Sequence, residues 1–118
     1  MPHLVVEHTA ITGLDPQRVL EAAMAALAGT GEFDMSNTKG RIVALERAAV
    51  DHPDDGTGFV ACRVSILDGR TMEQRRGISL AVTEAVAGAL PTVSDRVQVT
   101  TEVLQMERET YTKQVLGG

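Results

Sequence analysis

The stretch FVACRVSILDGRTMEQ, residues 59–74, contains the strand-to-helix transition on which the predicted fold depends. From Phe59 to Leu67 two sets of side chains alternate, as in a β-strand with two different faces. Asp68-Gly69 breaks the alternation, and Thr71 followed by Gln74 three residues later is typical of a capping box. The stretch therefore predicts a strand that ends at Leu67 and a helix that begins after Thr71.

The residues that follow complete a β-α-β unit. Apolar side chains recur at helical spacing, which predicts an amphipathic helix, and Pro91 ends it. The apolar positions are Ile78, Ala81, Val82, Ala85, Val86, Ala89 and Leu90. Val97 to Leu104 then predicts the last strand of the chain.

The first part of the chain shows the same pattern. Leu4–Val6 predicts a strand, and Asp15-Pro16 supplies an N-cap followed by proline at the first helical position. Gly29 and Gly31 end the helix. Its apolar positions are Val19, Leu20, Ala23, Met24 and Leu27.

A second strand is predicted from Arg41 to Val50, and residues 51–56 form a turn cluster between the halves. We expect one α+β domain over residues 1–118, with halves at about 1–58 and 59–118. Each β-α-β connection is long enough for a right-handed parallel crossover. Two topologies fit the order: a ferredoxin-like split unit, or two stacked parallel β-α-β units. Periodicity alone does not choose between them.

Composition excludes several classes of function. The 118 residues carry a net charge of −5 and only 3% aromatics, which disfavours binding to nucleic acid or to an anionic membrane. Cys62 is the only cysteine, so no intrachain disulfide is expected. His3, His8 and His52 lack metal-ligand spacing, and we expect no metal. No apolar run is long enough to span a membrane and no signal peptide is apparent, which leaves the cytoplasm as the expected location.

Pro2 is the first candidate for chemistry. Methionine is normally removed when proline follows it, and the mature chain would then begin with a secondary amine. An α-amino group has a pKa of about 7.7 to 8.0, and burial or nearby cations disfavour its protonated form. Because a strand follows Pro2 directly, the amine would be held rigidly and could act as a general base.

Cationic side chains near turns are the second set of candidates. Lys39 and Arg41 flank Gly40 at the start of the second strand, and Arg70 lies between a strand end and a helix N-terminus. Backbone N–H groups, the helix dipole and a guanidinium together suit a carboxylate ligand at Arg70. Each of these residues taken singly is more often only a solvated surface charge.

The chain resembles the 5-carboxymethyl-2-hydroxymuconate isomerases of the tautomerase superfamily over nearly its whole length. The resemblance rests on many short segments, namely Met1–Glu7, Ala28–Phe33, Lys39–Arg41, Phe59–Ile66 and Gly69–Arg75, and more loosely on Glu102 and Tyr111–Gln114. It implies stacked parallel β-α-β units that form a four-stranded, mostly parallel-paired sheet with two helices on one face. It also implies a homotrimer and no metal or organic cofactor.

The resemblance assigns roles to the candidate residues. Pro2 takes the family's base role, and Arg70 matches the family arginine after the third strand. Lys39 stands where the family has an arginine, and Arg41 matches a second basic position. Lysine offers a point charge where arginine offers a planar fork, so Arg41 is the alternative carboxylate ligand.

The resemblance implies a 1,3-proton shift on an unsaturated hydroxy- or oxo-dicarboxylate, such as 5-carboxymethyl-2-hydroxymuconate from meta-cleavage degradation of homoprotocatechuate. The cations would bind the anionic substrate and also stabilise the enolate. Two alternatives stay open. One is a hydratase, dehalogenase or decarboxylase of the same superfamily, and the other is a non-catalytic ferredoxin-like binding module.

Overall fold

Four strands and two helices follow one another in the computed structural model, which describes residues 2–50, 56–93 and 95–118. They are β1 (His3–His8), α1 (Pro16–Gly29), β2 (Lys39–Ala44), β3 (Gly58–Leu67), α2 (Met72–Ala89) and β4 (Val97–Met106). Short 3-10 turns at Met35–Asn37 and Arg108–Thr110 precede β2 and follow β4. Apart from Gly56, the predicted turn cluster at 51–56 lies outside the described residues.

The strands form one mixed sheet in the order β2-β1-β3-β4. Each β-α-β unit keeps its two strands adjacent and parallel, and the antiparallel pair β1 and β3 joins the two units. In a split unit another strand would separate β1 from β2. The predicted order of elements and the α+β fold class are therefore confirmed, and the topology is that of two whole β-α-β units side by side.

The predicted extent of β2, Arg41 to Val50, is wrong at both ends. The strand begins at Lys39 and ends at Ala44, because among the described strands it pairs with β1 alone and their pairing runs from His3 with Lys39 to His8 with Ala44. The N–H of Leu45 still donates to the carbonyl of His8 at 2.9 Å. Beyond that residue β1 offers no further backbone partner, and alternation in the sequence does not extend the strand.

β4 is longer than predicted for the same reason. It continues past Leu104 because Gln105 and Met106 pair with the last two residues of β3. The strand length is thus set by the ten-residue partner and not by the apolar pattern.

The predicted helix boundaries are confirmed by their capping contacts. The Asp15 carboxylate accepts from the backbone N–H groups of Gln17 and Arg18 at 3.1 and 3.3 Å. Thr71 and Gln74 form the reciprocal capping box at the start of α2, with distances of 2.8 and 3.1 Å. These contacts satisfy N–H groups that the first helical turn leaves unpaired.

Alternate strand residues pack beneath the two helices and form the core. The fully buried members are Leu4, Val6, Val60, Val64 and Ile66 from the strands and Val19, Ala23, Leu27, Ile78, Val82 and Val86 from the helices. Cys62 lies among them, and burial raises the pKa of its thiol to about 11 despite a hydrogen bond to Thr101. This cysteine is therefore a packing residue, because its nucleophilic thiolate form is disfavoured.

Truncating Ile78 to alanine should destabilise the protein by about 2 to 5 kcal/mol, because a fully buried side chain leaves both lost apolar contacts and a cavity. Leu80→Ala on the same helix is the matched control, because Leu80 is 55% exposed and its truncation should change stability by about 0.5 kcal/mol or less. Urea unfolding monitored by circular dichroism measures both. Equal losses for the two variants would contradict the described burial.

Candidate active site

The sheet topology brings four chain segments to one edge. β1 and β2 begin there, and β3 and β4 end there, because His3 pairs with Lys39 and Ser65 while Leu67 pairs with Met106. Pro2 therefore lies beside the turns that leave β3 and β4. Residues distant in sequence, at both ends of the chain and in its middle, meet at this edge.

Pro2 is fully buried and lines a pocket of about 170 Å³. Its carbonyl accepts from the N–H of Lys39 at 3.1 Å, which ties it to the start of β2. The pocket is lined by Pro2, Phe33, Ile66, Leu67, Arg70 and Arg108. We refer to it as the Pro2 pocket. It places the ring of Pro2 in one small space with two guanidinium groups.

A larger cavity of about 320 Å³ lies at the opposite end of the sheet. Its polar lining residues within the described ranges include Thr12, Thr92 and Asp95, and no cation is among them. A groove of about 690 Å³ between α1 and α2 is larger still, but the Pro2 pocket has the groups that can move a proton and bind an anion.

Arg70 is held firmly at the rim of the Pro2 pocket. Its Nη2 donates to the carbonyl of Glu32 at 2.6 Å, and its Nε donates to the Glu32 carboxylate at 3.3 Å. The guanidinium lies 4.6 Å from the centre of the Phe33 ring, within the range of a cation–π interaction. Gln74 donates to the same carboxylate at 3.3 Å. The helix cap and the arginine are thus fixed by one glutamate.

Arg108 is a pocket residue that the sequence reading missed. It lies just after β4, and its Nη2 donates to the Asp68 carbonyl at 2.8 Å. The sequence does contain a signal, because a basic residue follows the predicted end of each of the last two strands. Only the parallel pairing of β3 and β4 shows that these ends are neighbours.

The other two predicted site residues, Lys39 and Arg41, lie on the sheet face that the helices do not cover. Lys39 Nζ donates to the Asn37 carbonyl at 3.0 Å, and Arg41 Nη1 lies 3.4 Å from His3 Nδ1. Gly40 between them faces the helices, since a Cβ there would lie 2.6 Å from the Met24 sulfur. The structure brings Pro2 and Arg70 together and places Lys39 and Arg41 outside their pocket.

His3 is held on that open face as a neutral ring. A guanidinium only donates, so His3 Nδ1 accepts from Arg41, and Nε2–H donates to the hydroxyl of Tyr111 at 3.0 Å. Burial, followed by the nearby charges of Arg41 and Lys39, lowers the pKa of His3 from 6.5. Protonation would place a positive ring beside two cations.

The described ranges contain neither a metal-binding cluster nor a helix that could cross a membrane. No cluster of three or more histidine, cysteine, aspartate or glutamate side chains there could hold a metal ion. No helix in the same part of the chain is long and apolar enough to cross a membrane.

Replacing His3 by glutamine should make the stability of the protein less dependent on pH between neutral pH and about pH 5. The folded state disfavours protonated His3, so its stabilising contribution is present above pH 6.5 and is lost as the pH falls below that value toward the lowered pKa. The melting temperature of the wild type should therefore fall more steeply than that of His3→Gln between neutral pH and about pH 5. If the melting temperatures of the two proteins fall equally with pH, the contacts that hold His3 neutral beside Arg41 and Lys39 would be contradicted.

Comparison with known proteins identifies the family. The model of the 5-carboxymethyl-2-hydroxymuconate isomerase family matches residues 2–115. A solved 5-carboxymethyl-2-hydroxymuconate delta-isomerase superposes with a TM-score of 0.82 at 20% identity, covering 98% of this chain and 88% of that one. The 5-carboxymethyl-2-hydroxymuconate isomerase of Deinococcus radiodurans R1 gives 0.77 at 19% identity, with coverage of 96% and 88%.

A fused wild-type 4-OT protein, solved as a symmetric trimer, also has a similar fold, with a TM-score of 0.65 at 20% identity and coverage of 87% and 85%. No curated protein matches the sequence significantly. The similarity to these solved structures supports the fold described above, in which two β-α-β units form one sheet. Because the family model spans nearly the whole chain, this protein belongs to the 5-carboxymethyl-2-hydroxymuconate isomerase family and is an isomerase or tautomerase.

Proposed function

We propose that this isomerase catalyses a 1,3-proton shift on an unsaturated hydroxy- or oxo-acid with two or more carboxylates, such as 2-hydroxymuconate or 5-carboxymethyl-2-hydroxymuconate, with Pro2 as the general base. The observation that supports this most is the position of Pro2, buried in a pocket whose charged lining residues, among those that the structure describes, are Arg70 and Arg108. The solved neighbours whose printed names include this substrate support the same choice. The substrate would arise in the cytoplasm during meta-cleavage degradation of homoprotocatechuate.

The base role requires removal of Met1, so that the Pro2 nitrogen is an amine and not an amide. Burial of Pro2 and the two nearby guanidinium groups disfavour a positive charge on that amine. A neutral amine has a free electron pair near working pH and can accept a proton. The hydrogen bond from the Lys39 N–H to the Pro2 carbonyl holds the Pro2 nitrogen in place. This reduces the entropy that is lost when the amine and the substrate reach the reacting geometry.

The proposed reaction moves one proton and requires no other reactant. The neutral nitrogen of Pro2 takes a proton from the substrate, and the electron pair left behind spreads over the conjugated system as an enolate. The resulting pyrrolidinium then returns the proton to a different atom of the same substrate, and the amine is neutral again. Arg70, fixed by Glu32 and Phe33, binds a carboxylate and stabilises the transient negative charge.

We also propose that the chain forms a homotrimer and that Lys39 and Arg41 serve the pocket of a neighbouring subunit. Both side chains lie on the open face of the sheet, away from the Pro2 pocket of their own chain. The symmetric trimer among the solved neighbours supports the oligomeric state. In a closed ring, each subunit would present this face to the next one.

Replacing Pro2 by alanine should lower kcat by about a hundredfold or more, which is the usual contribution of a positioned general base. Ultraviolet-monitored turnover of 5-carboxymethyl-2-hydroxymuconate and 2-hydroxymuconate measures the effect, with intact mass used to verify that Met1 is absent from each protein. Pro16→Ala is the matched control, because Pro16 is exposed at the start of α1 and far from the pocket.

Two outcomes would contradict parts of the proposal separately. An unchanged rate for Pro2→Ala would remove the proline from the mechanism. No turnover of either substrate by a wild-type chain that begins at Pro2 would reject the substrate assignment, and the superfamily's hydration, dehalogenation and decarboxylation reactions would then be tested.

Mixing two inactive variants tests the role of Arg41 across subunits. If Arg41 serves a neighbour's pocket, refolding Pro2→Ala together with Arg41→Ala should restore activity at about a quarter of the sites, since random assembly pairs an intact Pro2 with an intact Arg41 in that fraction. Sedimentation equilibrium verifies the trimer. If both residues act within one chain, no mixed site contains both, and activity stays at the level of the separate variants.

A further inference from the structure

We infer that Arg108 binds the second carboxylate of the substrate and makes the site selective for dicarboxylates over monocarboxylates. The inference rests on the proposed function and assigns a specificity residue to it. Arg70 and Arg108 both line the pocket of about 170 Å³ that contains Pro2. One guanidinium is sufficient for a single carboxylate, so a second one in so small a space points to a ligand with two.

The turn between β3 and α2 positions both arginines. The carbonyl of Asp68 accepts from Arg108 Nη2 at 2.8 Å, and its carboxylate lies 3.4 Å from Arg108 Nε. The Arg70 side chain extends from the same turn toward Glu32. Gly69 between them has a φ of +118°, and a Cβ there would lie 3.9 Å from Arg108 Nη2. Glycine therefore permits the turn through its positive φ, and a Cβ at that position would make only an ordinary van der Waals contact with Arg108.

Arg108 can still take a ligand while it is bound to Asp68. The two Asp68 contacts use Nε and Nη2, and within the described ranges Nη1 and its two N–H groups have no partner. The Arg108 side chain is 61% exposed and that of Asp68 is 53% exposed, so water screens their pairing. The aspartate orients the guanidinium without neutralising it fully.

The two arginines differ in a way that suits the two ends of a diacid. Arg70 is half-buried, stacked on Phe33 and bonded to Glu32, whereas Arg108 is exposed at the mouth of the pocket. Arg70 is therefore placed to anchor the carboxylate nearer the reacting atoms. Arg108 is placed to bind the distal carboxylate, which does not take part in the proton transfer.

The test compares two substrates that differ in one carboxylate. Wild type and Arg108→Gln are assayed with 2-hydroxymuconate and with 2-hydroxypenta-2,4-dienoate, which lacks the distal carboxylate. The variant should lose on the order of tenfold to a hundredfold in kcat/KM for the dicarboxylate, mainly through KM, because a charge-assisted hydrogen bond is lost. Its kcat/KM for the monocarboxylate should stay within about twofold of the wild-type value.

Further variants separate substrate binding from a structural role. Arg108→Lys should recover part of the dicarboxylate preference, because it retains the charge without the planar fork. Arg18→Gln, at an exposed position on α1, should leave both substrates unaffected. Arg70→Gln should impair both substrates, because each keeps the carboxylate near the reacting atoms.

Each result bears on the inference. Equal losses on both substrates for Arg108→Gln would show a structural role of the Asp68 contact and overturn it. An unchanged dicarboxylate rate would also overturn it while leaving the proposed function intact. A wild-type enzyme that turns over none of 5-carboxymethyl-2-hydroxymuconate, 2-hydroxymuconate and 2-hydroxypenta-2,4-dienoate would reject the proposed function and this inference together, and the two failures are therefore distinguishable.

Discussion

The antiparallel pairing of β1 with β3 is the constraint on which the site depends. It sets His3 opposite Ser65, so that the start of the chain lies beside the end of the third strand. A parallel pairing would instead place Pro2 near the beginning of β3, roughly 30 Å from Arg70, given ten residues at a rise of about 3.3 Å each. The same pairing joins the two β-α-β units into one sheet and brings the end of β4 to the same edge.

Local charge at this edge differs from the charge of the whole chain. The protein carries a net charge of −5, yet within the part of the chain that the structure describes the charged residues lining the Pro2 pocket are two arginines. Each is oriented by a nearby acid, Arg70 by Glu32 and Arg108 by Asp68. Partly exposed pairs of this kind are screened by water, so they position a guanidinium while leaving it able to bind an anion. An acidic protein can therefore bind a small anionic substrate.

The two faces of the sheet carry different kinds of side chain. One face packs apolar side chains against the helices, and the close approach of α1 to β2 requires Gly40, since a Cβ there would meet Met24 and Leu20 at 2.6 and 3.3 Å. The other face carries Lys39, Arg41 and His3, and hydrogen bonds connect Arg41 through His3 to Tyr111 in the C-terminal segment. Strand alternation alone separates Gly40 from its two basic neighbours. Lys39 and Arg41 therefore lie together on the face opposite Gly40.

The sequence by itself determined the elements, their order and the helix caps, because caps and apolar periodicity depend on residues a few positions apart. It also singled out Pro2 and Arg70, which precede or follow strands directly. Tertiary structure decided the ends of β2 and β4, since a strand extends only as far as its partner offers hydrogen bonds. It also decided that Arg108 shares the Pro2 pocket and that Lys39 and Arg41 lie outside it, because strand order and direction are set by contacts between residues far apart in the chain.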